Sequence, residues 1–313
     1  MNPPTEPTGL ALNISAVERE AGLSKDVLRM WERRYGFPKP VRDENGERRY
    51  SAAEVAKLRA IKRLMDVGLR PGKIIRHTLE ELNTLAEGRI APRREPTALA
   101  AENEILGILA SHDASALQNL FANLLMRQGL QRFVLETLTS LNHAVGDAWM
   151  RGDLAVFEEH MYTEQVEVLL RSAVASIQPR NRRPRVLLTT FPNEQHTLGL
   201  LMVEALLTLE GVYCIQLGAE TPLAEITRAA VAHKADVVAV SFSAAFGEKQ
   251  AAAGLAELRA MLPMRIRLWS GGAGSARLRT PINGVELLSA LASVSDTVNE
   301  WRDLNAGSGG DSV

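Results

Sequence analysis

From residue 186 onward the chain stops repeating its apolar residues at helical spacing and delivers them in short continuous runs. VLLTT (186–190), VYCIQL (212–217), DVVAVSFS (236–243) and IRLWS (266–270) alternate with amphipathic stretches such as LGLLMVEALLTLEG and KQAAAGLAELRAML. A strand that is apolar on both sides needs cover on both faces, and a parallel sheet with helices on each side provides it. The pattern therefore predicts a doubly wound, Rossmann-like parallel sheet over 184–304.

The rest of the chain has a different texture. Residues 99–178 carry Ile105, Leu109, Leu117, Phe121, Leu124 and their neighbours at helical spacing, as in a four-helix bundle. GRIAPRREPTA (88–98) reads as an exposed linker, and PRNRRPR (179–185) as a second break. Residues 10–87 form short helical patterns around a basic turn, while 1–9 and 305–313 read as disordered ends. The single cysteine, Cys214, excludes an intrachain disulfide and a cysteine-cluster metal site. No run approaches the roughly 18 apolar residues of a membrane span, and MNPPTEPTG lacks the features of a signal peptide, so a cytoplasmic protein away from membranes is expected.

The net charge of -1 conceals an asymmetry. Residues 1–77 hold 16 Lys and Arg against 10 Asp and Glu, and the remainder 20 against 27. A basic head on an acidic body suits a polyanion, although charge alone fits a solvated surface equally well. Within the head, NISAVEREAGLSKDVLRMWERRYG reads as helix, turn, helix. Gly22 permits the turn and Ser24 can cap the second helix. That helix carries Lys25, Arg29, Arg33 and Arg34, with Trp31 assigned to the core. Asn45-Gly46 marks a tight hairpin flanked by Arg42, Arg48, Arg49 and Tyr50.

LRMWERRYG, GERRYS and VAKLRAIKRLMDVGL together resemble the winged helix-turn-helix of the MerR family. The resemblance implies a homo-oligomer on double-stranded DNA, with Arg29, Arg33, Arg34, Arg48, Arg49 and Tyr50 at the operator. The metal- and redox-sensing branches of that family use cysteines that this chain lacks, so its signal must enter elsewhere.

The loop after the first strand of the α/β domain is where an open sheet binds ligands. It reads TTFPNEQHTLGL and has no G-x-G-x-x-G fingerprint, which excludes an ordinary NAD site. Taken alone, His196 reads as a surface histidine beside a helix start. Glu194, His196 and Gly199, however, form E-x-H-x-x-G, which resembles the signature of cobalamin-binding domains. There the histidine replaces the nucleotide base as lower cobalt ligand, and the glycine admits the corrin. Ser241 and Ser243 after the third strand, and Gly271-Gly272 after the fourth, resemble the family's motifs around the buried nucleotide tail. LGAETP (217–222) matches its second strand–helix junction.

In the helical region, Trp149 is followed after nine residues by Glu159 and His160. Unaided, these read as a core tryptophan and a surface Glu-His pair. The spacing W-x(9)-E-H resembles the cap of the CarH/LitR light-responsive regulators, and the resemblance then spans the whole chain. It implies that Trp149, Glu159 and His160 line the upper face of adenosylcobalamin, with methylcobalamin as an alternative. It further implies a dark dimer or tetramer that represses carotenoid or light-protection genes until light cleaves the cobalt–carbon bond. Met150 stands where the best-known branch has a histidine, which puts a bis-histidine photoproduct in doubt; His143 or His160 could substitute. The alternatives are a light-independent cobalamin-level sensor, a partner-regulated MerR-type protein and, more remotely, a methyltransferase-like enzyme. The leading reading is not an enzyme.

Overall fold

The computed structural model describes residues 11–66, 68–87, 96–178, 182–278 and 280–306. The expected disordered start, the linker as far as residue 95 and the tail from residue 307 lie outside them. The chain forms two compact units. One takes the residues up to Pro96 together with Ala144–Glu159, and the other takes Thr97–His143 with His160 onward.

The first unit opens with β1 (Leu12–Asn13), α1 (Ile14–Ala21) and α2 (Lys25–Tyr35). Asn13 Oδ1 caps α1 through Ala16 N, Ser24 Oγ caps α2 through Val27 N, and Gly22 and Gly36 end the helices with positive φ. Strands β2 (Val41–Arg42) and β3 (Arg48–Tyr50) make the wing, and β1 adds a third antiparallel strand in the order β1-β3-β2. The turn is held by Asp43, whose Oδ1 accepts from Asn45 N and Glu47 N at 3.0 and 2.9 Å. Helices α3 (Ala52–Asp66), α4 (Pro71–Ile74) and α5 (Leu79–Glu87) complete the head. Ser51 and Glu54 cap α3 reciprocally.

Trp31 lies in the head's core with Val17, Leu28, Leu58 and Ile61, as predicted. Met150 is buried in the same cluster and Trp149 packs against it. Both belong to the Ala144–Glu159 segment, whose turn has Gly152 at φ +84° against the Arg63 guanidinium. Met150→Ala is expected to destabilise this unit by about 2–3 kcal/mol, the usual cost of emptying a buried methionine site. Thermal unfolding checks it, and an unchanged midpoint would place Met150 outside the core.

In the second unit, α6 (Pro96–Ala110) and α7 (Ala114–Gln128) lead to α8 (Leu130–Arg132). A π-helical stretch, Phe133–Leu138, continues α8 into α9 (Thr139–Arg151), and α10 (Val156–Ala175) follows. The Phe121 ring meets Phe133 and Tyr162 edge-on at 6.4 and 5.9 Å. Tyr162 donates to Asn142 Oδ1 at 2.6 Å.

The sheet comprises β4 (Arg182–Thr189), β5 (Val212–Gly218), β6 (Val237–Ser241), β7 (Arg267–Gly271) and β8 (Val285–Leu287). All are parallel, in the order β5-β4-β6-β7-β8. Helices α11 (Leu198–Leu209) and α14 (Val294–Asn305) pair together, as do α12 (Leu223–Ala232) and α13 (Glu248–Met261). The four apolar runs are β4 to β7. The chain turns in opposite directions from β4, first to β5 and later to β6. The crevice between the carboxyl ends of β4 and β6 is the topological switch point where such sheets bind ligands.

Candidate cofactor site and nucleic-acid interface

The two loops at the switch point meet on one carboxylate. Glu194 follows β4 and is almost fully buried, yet all of its hydrogen-bonding capacity on two sides is used. Its Oε1 accepts from His196 N at 3.1 Å and from His196 Nδ1 at 2.6 Å. Its Oε2 accepts from Ser243 N at 2.7 Å and Ser243 Oγ at 2.8 Å, reaching the loop after β6. Burial works against the charge. The hydrogen bonds from His196 and then Ser243 outweigh it and hold Glu194 below the usual glutamate value.

This arrangement fixes the imidazole. With Nδ1–H donating to Glu194, Nε2 carries the lone pair suited to a metal, and the His196 side chain is 61% exposed against 2% for Glu194. A carboxylate behind a coordinating histidine sets its tautomer and raises its basicity. The loop is braced from the next junction as well. Glu220, at φ +55°, accepts from Asn193 N and from Gln195 Nε2, both at 3.2 Å, and its own N donates to Thr190 Oγ1 at 2.9 Å. Thr197, directly after His196, donates to Glu167 on α10 at 2.8 Å, tying the loop to the helical region. Sequence reasoning singles out LGAETP, which contains Glu220, and the loop that contains Thr190, but not their bracing contacts, nor Glu167, because the partners are distant along the chain.

Beside the histidine loop lies a cavity of about 300 Å³, at the lower end of the range for small-molecule sites. Gly199, Ser241, Gly271 and Gly272 line it, with Leu200 and Trp269 among its apolar walls. Gly272 has φ +88°, and a Cβ there would come within 2.4 Å of Phe242 O. A Cβ on Gly199 would stand 3.1 Å from Ser241 Oγ. The two serines thus divide: Ser241 faces the cavity and Ser243 holds Glu194. Among the described residues no group of three His, Cys, Asp or Glu could hold a metal ion. A metal at His196 would take its other ligands from a macrocycle. A carboxylate-held histidine next to a glycine-walled cavity fits a corrin with a buried tail.

The expected upper-face residues are not gathered in one unit. Trp149 and Glu159 belong to the first unit, Trp149 against the head's core, while His160 belongs to the second. Glu158, next to Glu159, is buried and caps α10 by accepting from Ala155 N at 2.6 Å. Cys214 is half-buried on β5, where desolvation pushes its thiol up to about 12 and disfavours the thiolate.

On the head, α2 presents Arg29, Arg33 and Arg34. Arg29 pairs with Asp26 at 3.3 Å, and Arg34 lies over the Tyr35 ring. In the wing, Arg48 Nε pairs with Glu32 Oε2 and Arg49 Nε with Asp43 Oδ2, both at 2.8 Å. Arg48 therefore braces the wing against α2. Tyr50 corrects an expectation: it is fully buried, and its hydroxyl is enclosed rather than offered to phosphate. The reason is register, since β3 pairs Tyr50 with Leu12 and turns the ring into the core.

Comparison with known proteins agrees with this division. Residues 12–81 match the model described as MerR HTH family regulatory protein. Residues 101–172 and 184–278 each match a B12 binding domain. The HTH-type transcriptional repressor CarH of Myxococcus xanthus is 31% identical over 268 residues, covering 84% of this chain and 89% of the relative. This chain belongs to the CarH family of MerR-type regulators.

As a CarH-type protein it is a cobalamin-binding transcriptional regulator with a DNA-binding head. The repressor CarA of the same organism is 29% identical over 269 residues, covering 85% of this chain and 88% of its own. The monomethylamine corrinoid protein of Methanosarcina barkeri shares the fold, with a TM-score of 0.51 at 14% identity over 63% of this chain and 96% of that one. Among the described residues no helix is long and apolar enough to cross a membrane.

Proposed function

We propose that this CarH-type protein is a light-responsive repressor that carries adenosylcobalamin. It holds a double-stranded operator in the dark as a homo-oligomer, dimer or tetramer, and releases it on illumination. The target genes are those of carotenoid synthesis or other light protection, the setting is the cytoplasm, and the protein performs no enzymatic turnover. One observation carries the reading: Glu194 locks His196 into a metal-binding tautomer at the mouth of a glycine-walled cavity, on the same chain as a winged helix.

When bound, an alkylcobalamin supplies a cobalt–carbon bond that light breaks. His196 Nε2 would ligate the cobalt, with Glu194 retaining the proton on Nδ1 and Ser243 retaining Glu194. Gly199, Ser241, Gly271 and Gly272, which line the cavity, would accommodate the nucleotide tail. The family motif assigns Trp149, Glu159 and His160 to the upper face. The Thr197–Glu167 bond couples the histidine loop to α10, the helix that carries Glu159 and His160, so a change at the cofactor reaches the helical region directly.

At the operator, Arg29, Arg33 and Arg34 enter with α2, and Arg48 and Arg49 meet the backbone from the wing once their carboxylate partners yield. Arg33→Ala is expected to weaken operator binding severalfold and to lower the salt slope by about one per protomer. An unchanged slope in a salt titration would remove Arg33 from the interface.

Burial of Met150 in the head's core favours a second reading, a light-independent cobalamin sensor, because no imidazole occupies that position to trap the photoproduct. Binding to an operator fragment, with and without adenosylcobalamin, in the dark and after green light, separates the two. The repressor reading expects at least tenfold tighter binding with cofactor in the dark, reversed by light. Cofactor-dependent binding that ignores light would establish the second reading, and indifference to cofactor would remove both.

A further inference from the structure

The cavity wall carries one ionisable side chain among the described residues, and it does not come from the α/β domain. His143, in the first turns of α9, lines the cavity alongside Gly199, Leu200 and Gly271. The remaining walls are glycine, alanine, aliphatic side chains, Trp269 and serines. Trp269 Nε1 is occupied by Glu286 at 2.9 Å, so it offers the cavity only its ring.

His143 is held there from two directions. Its Nδ1 lies 2.6 Å from Thr139 O, which requires Nδ1 to be the donor and makes Nε2 the acceptor of the neutral ring. The preceding residue, Asn142, anchors this part of α9: its Nδ2 donates to Met202 Sδ on α11 at 3.4 Å, and its Oδ1 accepts from Tyr162. Met202 lies on the same helix as Gly199, Leu200 and Val203, three of the cavity's wall residues. Asn142 therefore sets the backbone position of His143 at the cavity, and the Thr139 carbonyl sets the orientation of its ring.

We propose that His143 is a specificity-determining binding residue of the cofactor site, contributed by the helical region, that accepts a hydrogen bond from a hydroxyl or amide N–H of the nucleotide tail. The inference rests on the reading that the cavity takes the tail. It makes α9 a direct reader of whether the tail is seated, independent of the upper face.

The test compares cobalamin with cobinamide, the corrinoid that lacks the nucleotide. Dissociation constants are measured in the dark on the full chain for wild type, His143→Ala and His143→Gln, with circular dichroism confirming equal helicity. Wild type is expected to prefer cobalamin. His143→Ala is expected to lose about fivefold in cobalamin affinity, one neutral hydrogen bond, with cobinamide unchanged. His143→Gln, which keeps an acceptor, is expected to recover part of the loss. Equal losses for both ligands, or no loss for either, would overturn the assignment while leaving the tail cavity intact. A wild type that binds both corrinoids equally would instead remove the tail from the cavity, and the proposal with it.

Discussion

Glu194→Ala is expected to weaken cobalamin retention by about 10- to 100-fold, the usual effect of removing the group behind a metal-binding histidine. The carboxylate does two jobs with separate oxygens. One oxygen fixes the His196 tautomer and the other satisfies Ser243 N–H and hydroxyl in a nearly water-free setting. Removal leaves the Ser243 amide without its acceptor, at a cost of about 1–3 kcal/mol, and frees the imidazole to rotate. Glu194→Gln is expected to fall between, because an amide can accept on one side only. The pH dependence has a definite sign. The folded value of Glu194 lies below the ordinary glutamate value of about 4.3, so its contribution is fully present above that value. It is lost as pH falls through the folded value. Folding stability of the wild type should therefore decline in acid, and the Glu194→Gln profile should be flatter there; thermal midpoints across pH check both.

Gly272→Val is expected to abolish cobalamin binding and to lower stability together. At φ +88° any side chain meets the left-handed penalty of about 1–2 kcal/mol, and its Cβ would collide with Phe242 O at 2.4 Å. Backbone cannot yield as a flexible side chain can, so the β7 loop and the cavity wall must move. Gly271→Ala is the informative companion. Its φ is not positive, and the nearest atoms to a Cβ, on Leu288, are at 3.9 Å, so the fold should be retained while a methyl group enters the cavity wall. Normal unfolding with weakened binding of cobalamin, and cobinamide spared, is the expected pair. Unimpaired cobalamin binding in Gly272→Val would mean that the cavity is not part of the site.

Much of this was legible in the chain itself. Central parallel strands must be apolar on both sides, which is why β4, β6 and β7 announce themselves as unbroken runs, whereas β5, at one edge, keeps its apolar run but exposes Tyr213 and Gln216. Three-residue β8 lies at the sheet edge and has no such requirement, so VEL passes unnoticed. E-x-H-x-x-G is local, and its geometry follows from its spacing: Glu194 and His196, two residues apart, meet through side chain and backbone alike. The division of labour between Ser241 and Ser243 is not local, because it depends on which loop β6 presents to Glu194. The contacts of Glu220, within the motif LGAETP, and of Glu167 are illegible for the same reason. Tyr50 shows the limit on the head, where a one-strand register set by Leu12 decides between core and DNA. Met150 shows another: a methionine in a cofactor motif says that an imidazole is missing, but only packing reveals that the side chain serves the head's core.

The direct test of His196 as cobalt ligand is electron paramagnetic resonance of the cob(II)alamin form bound to protein labelled with ¹⁵N-histidine. Axial coordination by His196 should split the cobalt lines into doublets, from one nucleus of spin one-half, and His196→Ala should abolish the doublets. Triplets in the labelled wild type, from the ¹⁴N of the cofactor's own base, would mean that the tail stays on the metal and that neither the histidine nor the cavity has the role assigned to it.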